Sequence, residues 1–164
     1  MHPHPDPVGP GQESVWSYPR PPSAEVSTRR VVVEVAGSTI ADTTRAVRVC
    51  ETSHPPVYYV PRDDIAAGVL QPAAGRSYCE FKGTATYWDL VVGDIRVAQA
   101  GWSYEQPSPA YREIAGAVAF YPSRVDECRV AGELVRPQEG DFYGGWITAD
   151  ITGPFKGGPG TVGW

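Results

Sequence analysis

The stretch RRVVVEVAGSTIADT sets Val31, Val33 and Val35 at every second position, breaks at Gly37-Ser38 and resumes with Ile40. Period-two alternation around a short turn is the pattern of a β-hairpin with one buried face. ATYWDLVVGDIRVAQAGW repeats it around Gly93-Asp94, and ECRVAGELVRP around Ala131-Gly132. Three such signals, in a chain of 164 residues that carries 18 glycines and 17 prolines, leave little room for long helices, because both residues interrupt helix interiors. A mainly β domain of antiparallel sheets is expected, with one or two short helices. Candidates for these are PRDDIAAGVL and PSPAYREIAG, the latter with Ser108 as cap and Pro109 just inside.

Length fits a single domain. Residues 1–12 read as a flexible polar tail, 13–156 as the domain and 157–164 as a second tail. Gly158, Gly160 and Gly163 spell G-x-G-x-x-G, but a dinucleotide fingerprint must follow a strand and open a helix, which the closing residues do not offer. From Gln138 onward, glycines, Pro154 and aromatics alternate irregularly, which suggests a wrap around the domain.

The formal charge is -5, and the basic residues are scattered, so the footprint of a nucleic-acid partner is missing. No apolar run approaches the roughly 18 residues of a membrane span, and no membrane partner is expected. Cys50, Cys79 and Cys128 form no C-x-x-C pair. Neither a disulfide framework nor a zinc site is indicated, and a cytoplasmic location suits them.

Five stretches, ESVWSYPRPP, ETSHPPVYYVPRDD, YCEFKGTATYWDL, AGWSYEQPSPAYREIAGAVAFYPSRVD and DFYGGWITADITGPFKG, resemble the bacterial and fungal family called domain of unknown function 427 (DUF427), sometimes labelled nucleotidyltransferase-like. The resemblance runs from Glu13 to Lys156. It implies a β-tent, or Mss4-like, fold, several members of which hold zinc through paired C-x-x-C motifs that this chain lacks. No metal and no cofactor are expected. Asp63-Asp64 is the one acidic pair in a suitable loop for a nucleotidyltransferase, but adjacent residues of an extended chain face opposite ways, and a helix start suits them better.

The candidate site lies in the same stretches. Lys82 and Lys156 are the only lysines beside twelve arginines. Lys82 sits in what reads as a strand, with Glu80, Thr84, Thr86 and Trp88 on its face and Cys79, Phe81, Ala85 and Tyr87 on the other. Because lysine can give up its proton when desolvated and arginine effectively cannot, Lys82 is the candidate anion anchor or proton-transfer group. The competing reading is an exposed Glu80–Lys82 pair of little consequence.

Glu51, at a strand end, is the second catalytic candidate. His54 is stiffened by Pro55 and Pro56, and serves as a structural loop residue or a general acid/base. Cys79 is a small core residue or a ligand contact. Tyr58, Tyr87, Trp88, Trp102, Tyr104 and Tyr121 are core residues or the walls of a pocket in the cleft between sheets.

Two functions follow. One is a pocket for a small organic ligand, with acid/base chemistry by Glu51 and Lys82. The other is a noncatalytic interaction module or homodimeric scaffold with an aromatic contact surface. Whether the chain is an enzyme is left open by the residues alone.

Overall fold

The computed structural model describes residues 3–140 and 142–164; the first two residues of the expected N-terminal tail lie outside them. Two antiparallel sheets carry the fold. The larger has seven strands in the spatial order Ser23–Val26, Val47–Cys50, Val57–Val60, Val118–Phe120, Ile95–Ser103, Gly83–Val92 and Leu70–Cys79. The smaller has four, Glu133–Leu134, Glu127–Val130, Val31–Val35 and Ser38–Thr43.

All three expected hairpins form. In the first, Val35 pairs with Ser38 across Ala36 and Gly37, whose φ values of 51° and 76° are both positive. Two successive left-handed residues match the twist of the flanking strands, and the glycine supplies one of them without a Cβ penalty. Among the described residues helix is limited to 3-10 turns, Val15–Ser17, Arg62–Asp64 and Pro109–Ile114. Pro109 follows Ser108 as expected, although the Ser108 side chain makes no capping hydrogen bond. Asp64 accepts hydrogen bonds from Thr43 Oγ1 at 2.7 Å and Arg45 Nη2 at 3.1 Å, a structural use of the acidic pair.

The space between the sheets is filled. Val31, Val33 and Val35 meet Tyr58, Val60, Leu90 and Phe120, each 2% exposed or less. Burying a side chain of this kind contributes about 1.5–3 kcal/mol, so this layer holds the domain together. The large sheet is apolar on its second face as well, where Val47, Val49, Tyr59, Trp102, Ala119 and Tyr121 cluster. That face is covered by irregular chain rather than by another sheet.

The cover is the expected wrap. The same segment also reaches the core: Trp146 is fully buried against Tyr58, its Nε1 donating to the Phe120 carbonyl at 3.1 Å and its backbone N–H to the Pro56 carbonyl at 2.8 Å. Ile151–Thr152 pairs in parallel with Glu13–Ser14, and Asp6 N–H donates to the Gly153 carbonyl at 2.8 Å. Residues 157–164 fold back on the domain: the Trp164 ring meets Trp16 edge-on at 5.7 Å, while Thr161 Oγ1 donates to the Gly158 carbonyl at 2.7 Å within the segment. No described helix is long and apolar enough to cross a membrane.

Candidate functional site

A cavity of about 440 Å³ lies on the second face of the large sheet, opposite the packed layer and not between the sheets as expected. The pleat explains it. Alternate residues of each strand point to opposite faces, so Tyr58 enters the core while Tyr59 enters the cavity wall, and Leu90 enters the core while Ala85 and Tyr87 face the cavity.

Trp102 and Tyr121 form the floor, with ring centroids 4.6 Å apart. Trp102 Nε1 donates to the Tyr59 hydroxyl at 3.2 Å, and the Tyr87 hydroxyl donates to Ser77 Oγ at 2.7 Å. Burial, then the neighbouring Cys79, holds the Tyr104 hydroxyl well above its ordinary pKa; burial beside Tyr87 pushes Tyr121 to about 12. At neutral pH both are phenols with an O–H to donate.

Gly144 brings the wrap down onto this floor. A Cβ there would stand 2.3 Å from the Trp102 ring and 3.2 Å from Tyr121, so only glycine permits the approach. Tyr143, Gln138, Lys156 and Trp164 complete the far wall.

The loop after Cys50 supplies the polar edge. Its strand ends at Cys50 and the next begins at Val57, as the double proline requires. Glu51 and His54 both face the cavity. Glu51 pairs with Arg20 at 3.4 Å. His54 is tied to the wrap through Gln138, whose Oε1 accepts from Gly145 N–H at 3.1 Å. That contact turns the amino group of Gln138 toward the Lys156 carbonyl, at 2.6 Å, and His54 Nδ1, at 3.1 Å. Nδ1 is therefore an acceptor, and the imidazole proton resides on Nε2. Burial, reinforced by the charges of Lys156, Arg20 and Lys82, lowers the His54 pKa to about 4.

Lys82 is not in a strand. Residues 80–82 form the turn between Leu70–Cys79 and Gly83–Val92, so the expected alternation breaks there and Lys82 joins Cys79, Phe81 and Ala85 around the cavity. The residue is 8% exposed. Its ammonium donates to Cys79 Sγ at 3.5 Å and stands 5.9 Å and 6.0 Å from the ring centroids of Tyr104 and Tyr111. The reading of an exposed Glu80–Lys82 pair is corrected: no carboxylate pairs with Lys82 among the described residues.

Glu51, His54, Cys79, Lys82, Tyr87, Trp102, Tyr104 and Tyr121 thus share one cavity. Tyr58 and Trp88 are elsewhere. Tyr58 is 1% exposed in the core, its hydroxyl accepting from Arg29 Nη2 at 2.7 Å. Trp88 lies under the Arg62 guanidinium at 4.6 Å, and its Nε1 donates to Ser103 Oγ at 2.9 Å. Both sit on the core side of the pleat, a matter of strand parity.

Sequence reasoning missed Lys156, Gln138, Tyr143 and Trp164. Rarity marks Lys156 as clearly as Lys82, since these two lysines are the chain's only ones, and both end in this cavity. Lys156 Nζ donates to the Trp164 carbonyl at 3.1 Å and stands 5.9 Å from the Tyr143 ring centroid.

A second cavity of about 350 Å³ is lined by charges that satisfy one another, Arg29 with Asp150 and Arg48 with Glu13. Among the described residues no three His, Cys, Asp or Glu side chains gather in a metal-binding group. A family model described as a domain of unknown function (DUF427) matches residues 23–131. No curated protein matches the chain. With well over half of its length matched, the chain belongs to the DUF427 family.

Proposed function

We propose that this member of the DUF427 family binds a small anionic organic molecule, its anionic group held by Lys82 and Lys156 and its body set against Trp102, Tyr104 and Tyr121. One observation carries the reading: the only two lysines of the chain line one aromatic cavity, and neither has an Asp or Glu partner among the described residues. Lys82 is buried, and a buried cation without a counter-ion is costly to the protein alone; an anionic ligand offsets that cost. The phenols of Tyr104 and Tyr121 supply neutral donors to the same molecule. Glu51 faces the same cavity, and acid/base chemistry by Glu51 and Lys82 belongs to this proposal.

The test compares probes of one shape and two charges. Phenylacetate, 4-hydroxyphenylacetate and indole-3-acetate are each titrated against the corresponding neutral amide by calorimetry. The acids are expected to bind at least about tenfold more tightly, as focusing of an anion into a low-dielectric, cationic cleft requires. Equal binding of acid and amide across all three pairs sinks the reading.

Tyr78 and Phe142, 76% and 72% exposed, stand on the cavity rim. They favour a second reading, a noncatalytic homodimer built on an aromatic contact. Light scattering separates the two: a dimer that Tyr78→Ser and Phe142→Ser dissociate supports the contact, and a monomer at millimolar concentration removes it.

A further inference from the structure

Cys79 is the thiol that the cavity exposes. Cys50 and Cys128 are 5% and 2% exposed and do not line it, whereas Cys79 does and is only half-buried. Burial raises the Cys50 pKa to about 11 and pushes that of Cys128 up as well, which leaves both as inert thiols near neutrality. Cys79 Sγ, by contrast, has the Lys82 ammonium at 3.5 Å. The reacting form of cysteine is the thiolate, and the Lys82 ammonium stands beside the sulfur where that charge develops during attack. The same ammonium has three N–H donors, so it holds an anionic ligand and the sulfur together.

We propose that Cys79 is a nucleophile for a small carboxylate whose electrophilic carbon is adjacent to the carboxylate group, with Lys82 positioning both reactants. The proposal rests on the anion-binding reading above. It adds a reaction and a geometric limit on the substrate. A carboxylate oxygen hydrogen-bonded to an ammonium lies about 2.8 Å from it, and Sγ lies 3.5 Å from the same nitrogen; sharing one nitrogen brings a carbon next to the carboxylate within reach of sulfur, and this is the substrate geometry proposed. In the step itself the Sγ–C bond forms, the bond from that carbon to its leaving group breaks, the leaving group departs with the bonding pair, and the thiol proton goes to solvent. The redox state does not change.

Iodoacetate has this structure, and iodoacetamide is its neutral counterpart, so the pair of alkylating agents tests the proposal directly. The whole chain at pH 7.5 is treated with each reagent, and the modified cysteine is identified by peptide mass mapping. Iodoacetate is expected to carboxymethylate Cys79 alone, with Cys50 and Cys128 reacting only after denaturation. The ratio of iodoacetate to iodoacetamide rates at Cys79 should exceed that of free cysteine by about tenfold or more, the gain a charge-lined cleft gives an ionic reactant.

In Lys82→Met the preference should fall to the free-cysteine value while iodoacetamide still reaches Cys79, which shows that the fold and access survive. Lys156→Met gives an independent partial loss should Lys82→Met fail to fold. A Cys79 that reacts with both reagents no faster than in the unfolded chain overturns the nucleophile, even where the aromatic carboxylates bind as proposed. Rapid iodoacetamide labelling with no iodoacetate preference, together with no binding of the aromatic acids, instead overturns the anion site and with it the assignment of substrate class.

Discussion

Replacing Lys82 by methionine should make the protein more stable and less able to bind. The side chain is 8% exposed, and its ammonium has only a sulfur at 3.5 Å and two aromatic rings near 6 Å. Removing an ion from water costs several kcal/mol even after the surroundings relax. Against this, cation–π contacts at the edge of their range contribute about 0.5–1 kcal/mol each, and a long N–H···S bond contributes less than the roughly 1.5–3 kcal/mol of a good charged hydrogen bond. The balance leaves a deficit on the order of 1 kcal/mol that methionine, with similar aliphatic volume and no charge, removes. For a domain of this length that is a rise in Tm of about 2–4 °C. Affinity for phenylacetate should fall at least about tenfold, since losing one member of a buried charge pair costs about 2–5 kcal/mol. Scanning calorimetry and titration on one preparation measure both. A fall in Tm of several degrees would refute the reasoning, because it would mean that Lys82 stabilises the fold through a charge partner.

Acid should expose the suppressed titration of His54. Its pKa is lowered to about 4 by burial and by Lys156, Arg20 and Lys82, against about 6.5 in the unfolded chain; stability is therefore complete above pH 6.5 and declines by up to about 3 kcal/mol as pH falls to 4. His54→Gln should flatten that part of the Tm-against-pH curve, and an unchanged slope assigns it to another group. Gly144→Ala places a methyl against the Trp102 and Tyr121 rings and should cost about 1–3 kcal/mol by overpacking, with loss of probe binding. A variant with the wild-type Tm would show that the wrap does not press on the floor. Deleting residues 157–164 removes the Trp16–Trp164 contact and the Lys156–Trp164 hydrogen bond, and should weaken phenylacetate binding more than Tm; undiminished binding would exclude this segment from the site.

The hairpins were legible because their turns carry the residues that left-handed backbone demands and their strands alternate cleanly. Leu70–Cys79 was not. Its Pro72 and Gly75 are residues that ordinarily interrupt a strand, and the structure absorbs them as a register break between Pro72 and Arg76. Missing that strand hid the turn at residues 80–82, and so misplaced Lys82 on the face of Trp88. The choice between Tyr58 and Tyr59 turns on which side of the sheet is packed, a property of the tertiary structure that alternation cannot supply. Tyr143 and Trp164 are held at the cavity by contacts far along the chain, with His54 in one case and Trp16 in the other. No local pattern announces such contacts.

The two kinds of cation in this protein divide the work. All eight side-chain ion pairs among the described residues use arginine, and seven of them are also hydrogen bonds, among them Arg30 with Asp42, Arg96 with Asp89 and Arg62 with Glu105. A guanidinium is planar and fork-shaped, and gives most when a carboxylate meets it in fixed geometry. An ammonium is a compact point charge with three rotatable donors on a flexible stem. Lysine at position 82 therefore keeps its bonding capacity free inside a narrow aromatic space, where a guanidinium would fill room that a ligand needs. On this argument Lys82→Arg retains the charge and still fails: phenylacetate affinity should drop as it does in Lys82→Met, without the rise in Tm. Full binding by Lys82→Arg would show that charge alone suffices, and that the choice of lysine in this cavity carries no geometric meaning.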